Sequence, residues 1–322
     1  MTPKTTAAQL AVEALETREV PATMLAVNQA GRLLTFDSAN PSVLLRNVPI
    51  TGLATATERV TDIDVRPGSG VLFGRSDADF LYTINPFTGA ATRLPGRIDV
   101  ASPRVGLDFD PTTDRLRLAG NAGENIGLDP NTGGPVVIGR NLNYAPGDVA
   151  QGQAPRVVGL GFTNSLPFAL TTTGYGIDHV RNTLVRFNGP VDGGQLVTVG
   201  SLGFDTTALV GLDIAAGSTF AFATLRAPGA TSSSFAIVSL ATGAATVIGP
   251  VGNFRMVSDI AILSGGLLPI PGSFLSPTNT FSGTTTSPLF PTNVQPLGPG
   301  VIGTSFGITG STFGGSSLTF GG

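Results

Sequence analysis

The sequence predicts an all-β fold, a five-bladed β-propeller, and three observations carry the prediction. A five-residue apolar phrase returns five times at nearly even spacing. Each full repeat continues as strand, polar turn, strand and glycine-closed turn. The first strands of the chain and its last phrase are complementary fragments of one repeat, so joining them would close a ring. A period of about forty to fifty residues carried by short strands marks a radial repeat, and closure removes the exposed edges that strands otherwise leave.

The phrase reads Thr61-Asp62-Ile63-Asp64-Val65, then Val105-Gly106-Leu107-Asp108-Phe109 and Val158-Gly159-Leu160-Gly161-Phe162. It returns as Val210-Gly211-Leu212-Asp213-Ile214 and Ser258-Asp259-Ile260-Ala261-Ile262. The central residues Ile63, Leu107, Leu160, Leu212 and Ile260 lie 44, 53, 52 and 48 positions apart.

Three segments follow from this frame: a helical arm over 1–23, the propeller over 24–263 and an extended tail over 264–322. In the arm, Thr6 three residues before Gln9 forms a capping box, and Leu10 and Ala14 begin an apolar stripe. Residues 24–52 supply strands over 25–27, 33–36 and 43–48 but lack the phrase. After the first phrase come strands over 71–73, 80–84 and 90–94, the last two joined by Asn85-Pro86-Phe87-Thr88-Gly89. Asn-Pro opens such a turn, and glycine supplies the positive φ where the chain reverses. The same order recurs over 115–118, 125–128 and 136–138 around Asp129-Pro130-Asn131-Thr132-Gly133, and again over 235–248 around Ala241-Thr242-Gly243. The last phrase lacks the strands that should follow, which are those of residues 24–52.

Composition narrows the function. The chain has 322 residues, 41% of them hydrophobic, enough for a sizeable core. Cysteine is absent, which excludes thiolate catalysis, zinc–thiolate sites and iron–sulfur clusters. Net charge is −3, charged residues are only 12%, and Lys4 is the sole lysine. Without a basic stripe, nucleic-acid binding is disfavoured. No apolar run is long enough to span a membrane. Gln9, Glu13 and Glu16 break the would-be apolar stretch of a signal peptide, so a cytoplasmic location is expected, with export or the cell surface as the alternative.

Several longer motifs resemble an uncharacterised bacterial family, domain of unknown function four-three-nine-four. They include residues 34–41, the run Leu81 to Thr92, residues 142–148, Tyr175-Gly176-Ile177-Asp178 and residues 239–249. The resemblance spans roughly 25–263 and implies a repeat-built β domain with no established reaction or catalytic residues. Members often look exported, and this chain departs from them in lacking a clear signal.

Candidate sites are few. Asp64, Asp108 and Asp213 occupy the same place in three phrases, replaced by Gly161 and Ala261 in the others. An aspartate inside a strand near the axis must be satisfied by hydrogen bonds or by a cation. Backbone N–H groups or an arginine of the next blade are the ordinary partners. A calcium ion is the sharper reading, helped by Asp62 and Asp110 two residues away on the same faces, although the closely spaced acidic loop of calcium sites is absent. His179, the single histidine, lies between Asp178 and Arg181 in a polar turn, where a solvated imidazole is the ordinary outcome and a catalytic base the exceptional one. The insert over 141–155 offers Asn143, Tyr144 and Asp148 as a ligand loop at one mouth of the ring, or as a brace.

Beyond Asp259 the chain carries no charged residue. The tail is rich in Gly, Pro, Ser and Thr and spaces out Phe274, Phe281, Phe290, Phe306, Phe313 and Phe320, the last three at intervals of seven. Disordered tails usually stay soluble through charge, so an uncharged tail with regular aromatic groups invites association. The leading expectation is a non-enzymatic structural or interaction protein, a propeller scaffold whose tail docks through these phenylalanines onto protein subunits of a larger assembly. The alternatives are a small-ligand or carbohydrate-binding propeller, and a calcium-dependent hydrolase or lactonase. No catalytic residue and no cofactor is assigned, calcium being the only candidate.

Overall fold

The structure, a computed structural model, describes residues 21–253 and 255–263. The expected N-terminal helix and the tail with its six phenylalanines lie outside the described residues. Within them the protein is all-β, without an α-helix and with one 3-10 turn at Val191–Gly193.

Strands β1 (Thr23–Asn28), β2 (Arg32–Asp37) and β3 (Asn40–Pro49) begin the chain. The second group is β4 (Val60–Val65), β5 (Leu72–Ser76), β6 (Phe80–Ile84) and β7 (Ala91–Arg97). The third is β8 (Val105–Asp110), β9 (Arg115–Gly120), β10 (Asn125–Leu128) and β11 (Pro135–Ile138). The fourth contains β12 (Asn143–Tyr144), β13 (Val157–Phe162), β14 (Gly174–Asp178), β15 (Thr183–Phe187) and β16 (Gln195–Ser201). The fifth is β17 (Gly211–Asp213), β18 (Phe220–Leu225), β19 (Ser234–Ser239) and β20 (Ala245–Pro250), and β21 (Val257–Ile262) ends the series.

They form five sheets, ordered β21-β1-β2-β3, β4-β5-β6-β7, β8-β9-β10-β11, β13-β14-β15-β16-β12 and β17-β18-β19-β20. This is a five-bladed propeller arrangement. Each repeated phrase lies at one edge of its sheet. The strands that carry it (β4, β8, β13, β17, β21) pack against one another in succession, and β21 packs back on β4. β21 pairs antiparallel with β1, with Met24 opposite Ile262 and Val27 opposite Asp259.

Apolar side chains fill the seams between neighbouring sheets. Phe73 and Leu81 of the second group meet Phe109, Leu116 and Leu118 of the third. Met24, Leu34 and Phe36 meet Phe222 and Phe235, with Phe36 set edge-on to Phe235 at 5.3 Å between centroids. The strands β8, β13 and β21 are buried along their whole length, and their phrases supply apolar residues at most positions, with glycine, serine or aspartate at the rest.

The glycine-closed turns clip one blade to the next. Asn85 accepts the N–H groups of Phe87 (2.9 Å) and Thr88 (3.1 Å) on its side-chain oxygen. Gly89 then turns at φ 75°, and a Cβ there would lie 2.1 Å from the Pro49 carbonyl of the preceding blade. Thr51 donates to the Gly89 carbonyl at 3.0 Å across that contact. Glycine is required twice over, for the conformation and for the close approach.

The insert over 141–155 contributes a short strand that sequence pattern alone did not reveal. Residues Asn143 and Tyr144 run parallel to Gln195 and Leu196, which lengthens the fourth sheet to five strands.

Candidate functional site

The strand carrying each phrase is the edge of its sheet, so its outward N–H groups need acceptors from elsewhere. Alternation along the strand points the second and fourth residues of the phrase the same way. The fourth-position aspartates reach across to the next edge strand. Asp64 accepts the Phe109 N–H at 2.7 Å and that of its own neighbour Val65 at 2.7 Å. Asp213 accepts the Ile262 N–H at 2.5 Å and that of Ile214 at 2.6 Å. Asp108 accepts the Phe162 N–H in the same manner. Where the last phrase carries Ala261, the second-position Asp259 takes over and accepts the Ile63 N–H at 2.9 Å. Asp62, also at the second position, instead meets Arg75 at 3.1 Å, and Arg75 continues to Asp79 at 2.6 Å.

These carboxylates are buried, and three of them converge. Oxygens of Asp64, Asp108 and Asp213 all lie within 4.8 Å of one another. Burial pushes the Asp64 carboxyl well above the usual range, and the Asp213 charge adds to it. Asp108 is raised by burial, then by the charges of Asp64, Asp213 and Asp259. Burial lifts Asp213 to about 6, with the Ile262 and Ile214 N–H bonds pulling the other way. Asp259 is raised by burial and by Asp62. Like charges this close cannot all persist unaided: the group retains protons or takes up a cation.

All donors in the cluster are oxygens, which suits a hard cation. Calcium binds oxygen at about 2.3–2.6 Å, so donors on opposite sides of it stand roughly 4.6–5.2 Å apart. The three oxygens, all within 4.8 Å of one another, are close enough together to share one such ion. A cavity of about 420 Å³ opens beside it, lined in part by Asp64, Asp213, Ile214, Ile262, Ala215 and Leu166. Access for a small ion is thus built into one mouth of the ring.

The other sequence candidates do not converge. Asn143 is exposed. Tyr144 is buried, with its hydroxyl donating to Asp178 at 2.7 Å. Asp148 accepts the Thr198 N–H at 2.6 Å and its hydroxyl at 2.9 Å. Tyr144 and Asp148 therefore brace the insert against its own sheet. His179 is half-buried in the turn after β14, and burial lowers its pKa. The Asp178 beside it accepts the Arg156 N–H (3.0 Å), the Val180 and Arg181 N–H groups (3.0 and 3.1 Å) and the Arg181 guanidinium (3.1 Å). That carboxylate is saturated by partners other than the imidazole.

Sequence reasoning passed over Asp259 because it compared only the fourth positions. The matching second-position Asp62 was the available signal. Among the described residues, no helix is long and apolar enough to cross a membrane.

No curated protein matches the chain in sequence. Among solved structures it is similar to the hydrazine synthase of Kuenenia stuttgartiensis, at 13% identity and a TM-score of 0.38, over 64% of this chain and 51% of that one. The match therefore spans about half the length of that protein's chain. It is also similar to a chain of a nidogen/laminin complex, at 10% identity and a TM-score of 0.46, over 76% of this chain and 99% of that one. The family described as Domain of unknown function (DUF4394) matches residues 32–261, most of the propeller with its repeated phrases and axial aspartates, and the chain belongs to that family.

Proposed function

We propose that the chain is a non-enzymatic structural protein, a propeller scaffold closed by its terminal strands, whose uncharged tail over 264–322 docks onto protein subunits of a larger assembly. The observation that carries the scaffold reading is the use made of the axial carboxylates. Asp64 and Asp213 border the axial cavity, yet both oxygens of each accept backbone N–H groups, and Asp259 likewise holds a neighbouring blade. The tail reading rests on its composition, with no charge after Asp259 and six spaced phenylalanines. Deleting residues 264–322 is the test. The truncated protein should keep the β-type circular dichroism of the ring and lose the proteins that co-purify with the full chain. Unchanged co-purification would sink the tail's role.

A second reading is favoured by the convergence of Asp64, Asp108 and Asp213 within 4.8 Å. In it a calcium ion sits on the axis and replaces the protons the cluster would otherwise retain. Calcium should then raise the melting temperature and a chelator lower it, with the effect gone in Asp108→Asn. Purified protein without bound calcium, and with a melting temperature indifferent to it, would rule this out. An enzyme built on such an ion would also need hydrolytic activity that disappears with the chelator.

A further inference from the structure

The loop over 163–173, between β13 and β14, contains no charged residue and carries three large apolar side chains in the open. Leu166 is 55% exposed, Phe168 93% and Leu170 95%. Phe168 also sits at φ 60°, in the left-handed region that a bulky residue enters only at a cost. The base of the loop is tied down: Asn164 donates to the Thr171 carbonyl at 3.0 Å, Thr172 to the Thr163 carbonyl at 2.6 Å, and the Thr173 N–H to the Thr163 hydroxyl at 2.9 Å. A firm base under a strained apolar tip is the form of a plug, since a merely flexible loop would turn Phe168 away from water.

A socket lies at the same mouth of the ring. A groove of about 560 Å³ is walled by Phe220, Phe222, Ile237 and Ile248, and no charged side chain lines it. Ala215 and Ala216 border both this groove and the axial cavity, and Leu166 of the plug borders the same axial cavity. Plug and socket therefore stand around one mouth, and the tip does not occupy its own groove.

We propose that this face is a self-association surface, on which two copies of the chain meet mouth to mouth and each inserts the 163–173 loop into the other's aromatic groove. Three features select a second copy as the occupant. Both elements belong to one face, so a two-fold axis engages two plug–socket pairs at once. Both are uncharged, so neither buries an unpaired charge. The three side chains of one tip expose on the order of 400–500 Å², so two tips bury roughly 800–1,000 Å² and the groove walls carry the total just past the roughly 1,000 Å² that a specific interface needs. Arg66, which lines the cavity beside Phe168, is paired with Asp114 and so offers no free charge to an anionic membrane surface. This inference is independent of the tail.

Light scattering and sedimentation of the full chain over a wide concentration range provide the test. The wild-type protein should dimerise. Phe168→Asp and Ile248→Asp should each raise the dissociation constant roughly a hundredfold or more, as loss of a central anchor does. An equimolar mixture of the two variants should recover part of the association, because one wild-type loop then meets one wild-type groove. Circular dichroism checks folding, and Leu170→Asp replaces Phe168→Asp if the latter misfolds. A wild-type protein monomeric at every concentration overturns the proposal, including one whose loop binds lipid vesicles or another protein. A dimer indifferent to Phe168→Asp and Leu170→Asp, or dissolved only by removal of 264–322, overturns it too. So does a mixture of variants that stays monomeric.

Discussion

Replacing Asp64 with alanine isolates what an axial carboxylate does. The side chain accepts two buried N–H groups, from Phe109 and Val65, and alanine leaves both without that acceptor. Each orphaned buried donor costs about 1–3 kcal/mol, so the gross loss is roughly 2–6 kcal/mol. Removing a carboxylate crowded by Asp108 and Asp213 offsets part of that loss, which places the net effect near the lower end, about 2–3 kcal/mol. For a domain of this size a loss of 1 kcal/mol lowers the melting temperature by about 2–4 °C, so a fall of roughly 4–12 °C is expected. Asp64→Asn should cost less than half as much, since its carbonyl can still accept from Phe109 while the repulsion disappears. The control is Asp114→Asn, which removes an ion pair with Arg66 at a half-exposed side chain, keeps a residue that tolerates the φ of 53° there, and should change stability by no more than about 1 kcal/mol. Urea and thermal unfolding at neutral pH measure all three. Equal effects of Asp64→Ala and Asp114→Asn would refute the claim that the axial aspartates tie blades together.

Other predictions come from positions away from the axis. Burial alone would raise the Asp178 carboxyl, but the Tyr144 hydroxyl, the Arg156 and Arg181 N–H groups and the Arg181 charge outweigh it and hold its pKa below the usual value. A depressed folded pKa means the unfolded chain binds more protons on the acid side. The stabilisation is therefore present above the ordinary carboxylate pKa near 4 and lost as pH falls through the lower folded value. Asp178→Asn should lower stability at neutral pH and flatten its decline in acid, whereas an acid limb identical to wild type would contradict the assignment. Gly89→Ala meets both a φ of 75° and the Pro49 carbonyl, while Gly70→Ala meets a φ of 68° with nothing within 4 Å. Gly70→Ala should cost about 1–2 kcal/mol, and Gly89→Ala distinctly more in the same unfolding assay. Equal costs would mean that the clip between blades contributes nothing.

The blades were legible because two strong local signals coincide, the buried apolar phrase and the Asn/Asp-Pro-x-Thr-Gly turn, and each fixes its geometry without help from distant residues. The direction of the axial bonds was not legible. That Asp64 reaches Phe109, forty-five positions onward, depends on how one edge strand sits beside the next. The substitution of Asp259 for a fourth-position aspartate has the same origin, since only the assembled ring brings it to the Ile63 N–H. Tyr144 read as a ligand-loop residue because a tyrosine in a polar insert can face either way, and its partner Asp178 lies thirty-four residues further on. The 163–173 loop gave no periodic signal, and the meaning of Phe168 depends on an exposure and a backbone angle that sequence does not display.

The Gly161 in the third phrase has a consequence for how the ring responds to cold. At the junction of β13 with β17 a glycine stands where β4, β8 and β17 carry the bridging aspartate, and the Ile214 N–H turns to its own Asp213. What faces Gly161 is the side chain of Ile214, within an apolar cluster of Val158, Ile177, Leu212 and Ala223. Apolar association weakens on cooling, and pressure acts against packed voids, whereas neither removes a charge-assisted hydrogen bond in the same way. Low temperature or high pressure should therefore part this seam before the others, giving a ring split at one fixed place with the remaining junctions still latched.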